Sequence, residues 1–268
     1  MAVHTADREI VRVSKTIVCL ALISLCLLCH TARIWAQSPA DDTYNDKKLT
    51  KINAKAFHRE GLLCDSVIYQ KVSDNRGEGI PHLQGVRNLR VVLPGILYRS
   101  GGNNLYNPLV SRHNNNPLSF QTVLNLWEMG FDEIVYLYKY RFDSLYSGEL
   151  AGYLDRIGIR YSAVLPMKET QVYGLLKKMH LQMKASRPGY ILIHCWNGWH
   201  MSGLISAFSL MQFCGYDADQ AWNYWKSCTD GNHKGYERLR DRIRSFKPFP
   251  DLILTDGQKQ LYCPCENK

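Results

Sequence analysis

The chain has 268 residues, 46 % of them apolar, and carries 33 Lys and Arg against 24 Asp and Glu for a net charge of +9. That length and apolar share suffice for one compact domain with a substantial core. The basic balance suits an anionic ligand, a polyanion or a membrane surface, and is compatible with a peripheral membrane contact. The basic run Arg238 to Arg244 lacks the interleaved aromatic residues of a single-stranded nucleic-acid track, so it reads as a solvated helix face and no nucleic-acid partner is expected.

Arg8, Arg12 and Lys15 precede an apolar run from Thr16 to Cys29, followed by Ile34-Trp35-Ala36-Gln37. This predicts a cleavable secretory signal peptide over residues 1–36, cut after Ala36, and hence export to a periplasm or beyond. The apolar run is shorter than the ~20 residues of a spanning helix. Loss of the leader removes four Lys or Arg and two Asp or Glu, leaving 232 residues at +7. Residues 37–87 read as a polar N-terminal extension, 88–250 as the folded domain and 251–268 as a C-terminal tail.

Six cysteines remain: Cys64, Cys195, Cys214, Cys228, Cys263 and Cys265. In an oxidising compartment disulfides are the default. A bridge from the tail pair Cys263 and Cys265 to Cys228 or Cys64 is expected, with Cys214 in the core. Two tail thiols without a nearby histidine make a poor metal site, so no metal or cofactor is expected.

Periodicity and turn residues predict strands at 89–93 and 96–99, a long loop at 101–117 rich in Gly and Asn, and a helix at 118–129. A strand follows at 133–138, a helix at 147–157, a strand at 159–164, a helix at 170–186 and a strand at 190–194. Helices at 203–213, 217–227 and 233–246 complete the domain, the second opened by an Asp217 to Gln220 capping box. Strands alternating with helices around a buried apolar strand make an α/β layered domain.

The chemistry concentrates in Ile191-Leu192-Ile193-His194-Cys195-Trp196-Asn197-Gly198-Trp199-His200-Met201-Ser202-Gly203. An apolar strand that ends in a short polar loop and reverses into a helix points backbone N–H groups and a helix dipole at one spot, which suits an anion. Cys195, at the strand end, sits where such a field favours the thiolate, the nucleophilic form. Gly198 permits the tight loop and close approach of a ligand. Ser202 is placed to cap the helix and to hydrogen-bond the cysteine sulfur.

This segment resembles the phosphate-binding loop of the cysteine-dependent tyrosine and dual-specificity phosphatases: His-Cys, two residues, Gly, two residues, Arg, Ser or Thr, Gly. His194, Cys195, Gly198, Ser202 and Gly203 match, while Met201 stands where the family has its arginine. Asn88 to Gly101, containing Gly-Ile-Leu-Tyr-Arg-Ser-Gly, looks like the family's opening strands, and the resemblance extends over roughly residues 88 to 246.

The resemblance implies a central, mostly parallel sheet flanked by helices, with Cys195 as nucleophile, His194 tuning it and Ser202 assisting. Glu169, the carboxylate on the segment after the fourth strand, takes the place of the family's general acid. Trp196, Asn197, Gly198, Trp199, His200, Met201 and Gly203 would surround the ligand, with the tryptophans either walling an aromatic slot or covering the loop. An arginine at 201 would grip two phosphate oxygens; its loss costs about 3 kcal/mol or more in the transition state. The expectation is therefore an exported, pseudophosphatase-like binder of phosphorylated or other anionic ligands. The alternative is an active phosphate-monoester hydrolase with a Cys195 phosphocysteine intermediate, its missing charge supplied by His200, Arg99 or Arg112.

Overall fold

The computed structural model describes residues 66–74, 83, 85–102 and 117–264. The leader, residues 37–65 with Cys64, the Asn-rich stretch with Arg112, and Cys265 lie outside the described residues, as do the expectations that fall on them.

Among the described residues, five strands form one sheet: β1 (Val86–Leu93), β2 (Leu97–Gly102), β3 (Phe131–Tyr136), β4 (Arg160–Ala163) and β5 (Tyr190–Cys195), in the order β1-β2-β5-β3-β4. Only the β1–β2 hairpin is antiparallel; β2–β5, β5–β3 and β3–β4 are parallel. The fold is thus the expected α/β arrangement, a mostly parallel sheet flanked by helices. α1 (Ser66–Tyr69) leads into β1, and α2 (Phe120–Glu128), α3 (Phe142–Leu145), α4 (Gly148–Ile157) and α5 (Glu169–Lys184) lie between strands. α6 (Met201–Cys214), α7 (Ala218–Ser227), α8 (Glu237–Ser245) and α9 (Asp256–Tyr262) follow β5.

The sheet separates two apolar cores. One joins Val92, Leu97, Val135, Ile191, Ile193 and Cys195 to residues of α5, α6 and α7. The other joins Val91, Tyr98, Ile134, Tyr136 and Leu192 to residues of α2, α3 and α4. Alternation along β5 therefore sends Cys195 to the α6 side and His194 to the opposite side, against Tyr136 and Tyr161. Buried on both faces, the central strand is the unbroken run Tyr190-Ile191-Leu192-Ile193 rather than an alternating one.

Several boundaries differ from the sequence expectation. β3 starts at Phe131 rather than 133, because Gly130, with φ of 91°, ends the α2 turn and launches the strand at once. α6 starts two residues earlier than expected, at Met201: His200 already has αR dihedrals and forms the N-cap position without a side-chain cap. Ser202 is accordingly inside the first turn and caps nothing. Three short helices, α1, α3 and α9, have no counterpart in the sequence expectation. Cys214 is paired with Cys263 in a disulfide rather than lying as a free core residue, and Cys228 is buried and free. The bridge fixes α9 to the end of α6, so residues up to Tyr262 pack on the domain instead of trailing from it.

Candidate functional site

Cys195 ends β5 with 3 % of its surface exposed, and its Sγ lies 3.3 Å from Ser202 Oγ across the start of α6. The intervening loop, residues 196–200, reverses the chain at Gly198, whose φ of +75° falls in the left-handed region. A Cβ there would come within 2.6 Å of the Gly101 nitrogen, so the loop and β2 touch backbone to backbone.

Each of the five consecutive loop carbonyls accepts a hydrogen bond from outside the loop. Gly102 N–H donates to Trp196 O at 3.1 Å, and Asn88 Nδ2 to Asn197 O at 2.7 Å. Arg99 Nη2 donates to Gly198 O at 2.6 Å and to Trp199 O at 3.0 Å. Trp225 Nε1 and the Leu204 amide both donate to His200 O, at 3.0 and 2.8 Å. A trans peptide sets the following N–H opposite its carbonyl, and there are no cis peptides among the described residues. Arg99 therefore turns the amides of Trp199 and His200 away from itself, and Trp225 does the same for that of Met201. The N-terminal end of the 14-residue α6 dipole adds partial positive charge at the same end of the loop.

His194 is fully buried. Tyr161 OH accepts from the Leu118 amide at 2.8 Å and so donates to His194 Nε2, also at 2.8 Å, which leaves Nδ1–H to point at the Cys195 carbonyl, 3.4 Å away. The imidazole stacks on Tyr136 at 4.9 Å, and its burial pushes it down to about 3, so it is neutral at any ordinary pH. It orients the chain at Cys195 as a neutral donor, not as a cation.

The two loop tryptophans go to different partners. Trp196 stacks on Tyr138 at 4.5 Å and donates to Tyr136 OH. Trp199 donates to Asp230 at 3.1 Å. His200 stacks on Tyr236 at 3.7 Å and its Nε2 meets the Asn232 carbonyl at 2.7 Å. Burial lowers the His200 imidazole, with Arg99 adding to the fall and the Asn232 carbonyl opposing it. Its ring is thus spent on the segment between α7 and α8, which does not suit it to replace an arginine. Met201 is buried among core residues at the head of α6, and Gly203 packs where a Cβ would meet Trp225 and Arg99. Asn197 is gripped from β1 by Asn88 and by Arg87, whose Nη1 reaches its Oδ1 at 3.1 Å.

Glu169 is the first residue of α5. It lines a cleft of about 370 Å³ with Met167, Phe208, Arg242 and Lys247, and among the described residues no hydrogen bond or ion pair joins it to the loop. No cluster of three or more metal-ligating side chains occurs among the described residues. Sequence reasoning missed Tyr136, Tyr138, Tyr161, Asp230 and Tyr236, all of which reach the loop or His194 from distant segments and carry no local motif.

Comparison with known proteins gives no matching family profile and no similar curated protein. Among solved structures, P. aeruginosa TpbA is 19 % identical over 63 % of this chain and 89 % of its own, with a TM-score of 0.37. A cysteine-to-serine variant of TpbA in complex with phosphotyrosine is 18 % identical, over 70 % of this chain and 96 % of its own, with a TM-score of 0.41. The core catalytic domain of the S. cerevisiae PP-IP phosphatase SIW14, in complex with citrate, is 17 % identical over 60 % of this chain and 86 % of its own, at 0.42.

Proposed function

We propose that this protein is an exported, phosphatase-like binder of phosphorylated or other anionic ligands, in which loop 196–200 holds the anion over Cys195 and turnover is impaired. The observation that carries this reading is the outward tethering of all five loop carbonyls, which leaves amides and a helix N-terminus to face an anion at the cysteine. The thioether of Met201 cannot provide the bidentate grip on phosphate oxygens that an arginine gives the transition state. The Cys214–Cys263 disulfide accords with an oxidising compartment and so with export.

The contact between Cys195 and Ser202 favours a second reading, slow phosphate-monoester hydrolysis. There the Cys195 thiolate attacks phosphorus, the leaving oxygen takes a proton from water, and a second water cleaves the phosphocysteine and releases the thiolate. The deciding experiment measures phosphate release from an aryl phosphate beside calorimetric binding of tungstate, for wild type and Cys195→Ser. Tungstate binding with equal background turnover supports the binder; cysteine-dependent turnover supports the hydrolase; neither binding nor turnover overturns both.

A further inference from the structure

Two guanidinium groups are buried side by side behind the loop. Arg99 is completely inaccessible and Arg90 is 1 % exposed. Arg99 donates to Tyr224 OH at 3.2 Å and to the carbonyls of Gly198 and Trp199, and among the described residues no carboxylate pairs with it. Among the described residues Arg90 reaches one carboxylate, Asp230, at 3.5 Å, and Asp230 is shared with Lys71 at 2.8 Å. The Nε atoms of both arginines, Ser100 Oγ and Asn88 Oδ1 are buried without a hydrogen-bond partner among the described residues. A buried cation lacking a counter-ion is costly, and a fold retains one where something else completes the charge.

We infer that Arg99 is the charge partner of the bound anion, acting through the loop from behind in place of the side chain missing at 201. It is a positioning residue that does not touch the ligand: it fixes the Gly198 and Trp199 carbonyls, and its charge, close enough to be felt at Cys195, has Tyr224 and Cys228 near it but no carboxylate among the described residues. Asp230 then tempers this charge, since it is the only carboxylate that the described residues place on the pair. The ligand class that follows is a compact oxyanion whose charge offsets a fixed cation under the loop floor. The inference rests on the anion-binding reading above.

The test is protection of Cys195 from iodoacetamide by tungstate, in wild type, Arg99→Met, Arg99→Lys and Asp230→Asn. Arg99→Met should raise the half-protecting concentration about tenfold and Arg99→Lys should restore most of the loss. Asp230→Asn, which keeps hydrogen-bonding atoms for Trp199 and Lys71 but removes the negative charge, should lower that concentration about threefold. A role limited to bracing the loop would weaken protection in every variant, so weakening by Asp230→Asn, or an unchanged Arg99→Met, overturns the inference. Where Arg99→Met does not fold, the direction of the Asp230→Asn shift decides alone. Absence of protection in the wild type would instead defeat the anion-binding reading itself.

Discussion

Gly101 and Gly198 meet backbone to backbone: a Cβ on Gly198 would lie 2.6 Å from the Gly101 nitrogen, and one on Gly101 would run into the Asn197 carbonyl carbon. Neither β2 nor the loop can yield, since β2 pairs with β5 through Ser100 and His194. Gly101→Ala should cost about 2 to 3 kcal/mol of stability, and Gly198→Val should abolish anion binding. Gly174→Ala, in open space within α5, should be neutral or stabilise by up to about 1 kcal/mol. Urea unfolding of the three variants checks the order.

Ser202 is the only side chain among the described residues that hydrogen-bonds the Cys195 sulfur. If its hydroxyl donates to the thiolate, Ser202→Ala should slow alkylation of Cys195 at neutral pH by roughly tenfold. An unchanged rate would mean the hydroxyl spends its proton elsewhere.

Met201→Arg places at 201 the arginine that the proposed phosphate-loop resemblance calls for. Aryl phosphate turnover should rise at least about tenfold. No rise would mean that the first turn of α6, where Met201 is buried, cannot direct a guanidinium to the anion.

His194 sets a pH dependence of stability. Burial holds the folded imidazole at about 3 against an ordinary value near 6.5. Between these limits the unfolded chain carries a proton that the folded chain lacks, so stability falls as pH drops through the window, by about 1.4 kcal/mol per pH unit. Above 6.5 this contribution is constant. His200, lowered in the same direction, adds to the slope. Urea midpoints at pH 7, 6 and 5 should show the decline, and His194→Gln should flatten it by one proton; an identical slope in the variant would contradict the assignment.

The disulfide between Cys214 and Cys263 closes a separation of 49 residues. Cys263→Ser should lower stability by about 3 to 4 kcal/mol, measured by urea unfolding without reductant.

The alternation of strands and helices and the His194-Cys195 motif were legible because each rests on local periodicity or fixed spacing. Ser202 illustrates the limit: its place near the sulfur followed from spacing, but the start of α6 at Met201 did not, because His200 enters the helix with no capping side chain. Asp230, Tyr236 and Tyr161 were invisible because only tertiary folding brings them to the loop. The pairing of Cys214 was hidden for the same reason, since sequence does not determine which cysteines meet. Glu169 carried a role by resemblance alone, and in the structure it lines a cleft with Met167, Phe208 and Arg242.

The most direct test of the anion-binding loop is calorimetric titration of the protein with tungstate, before and after alkylation of Cys195. The account predicts saturable binding of one tungstate per chain that disappears once the cysteine is blocked. Absence of binding, or binding that survives alkylation, would contradict it.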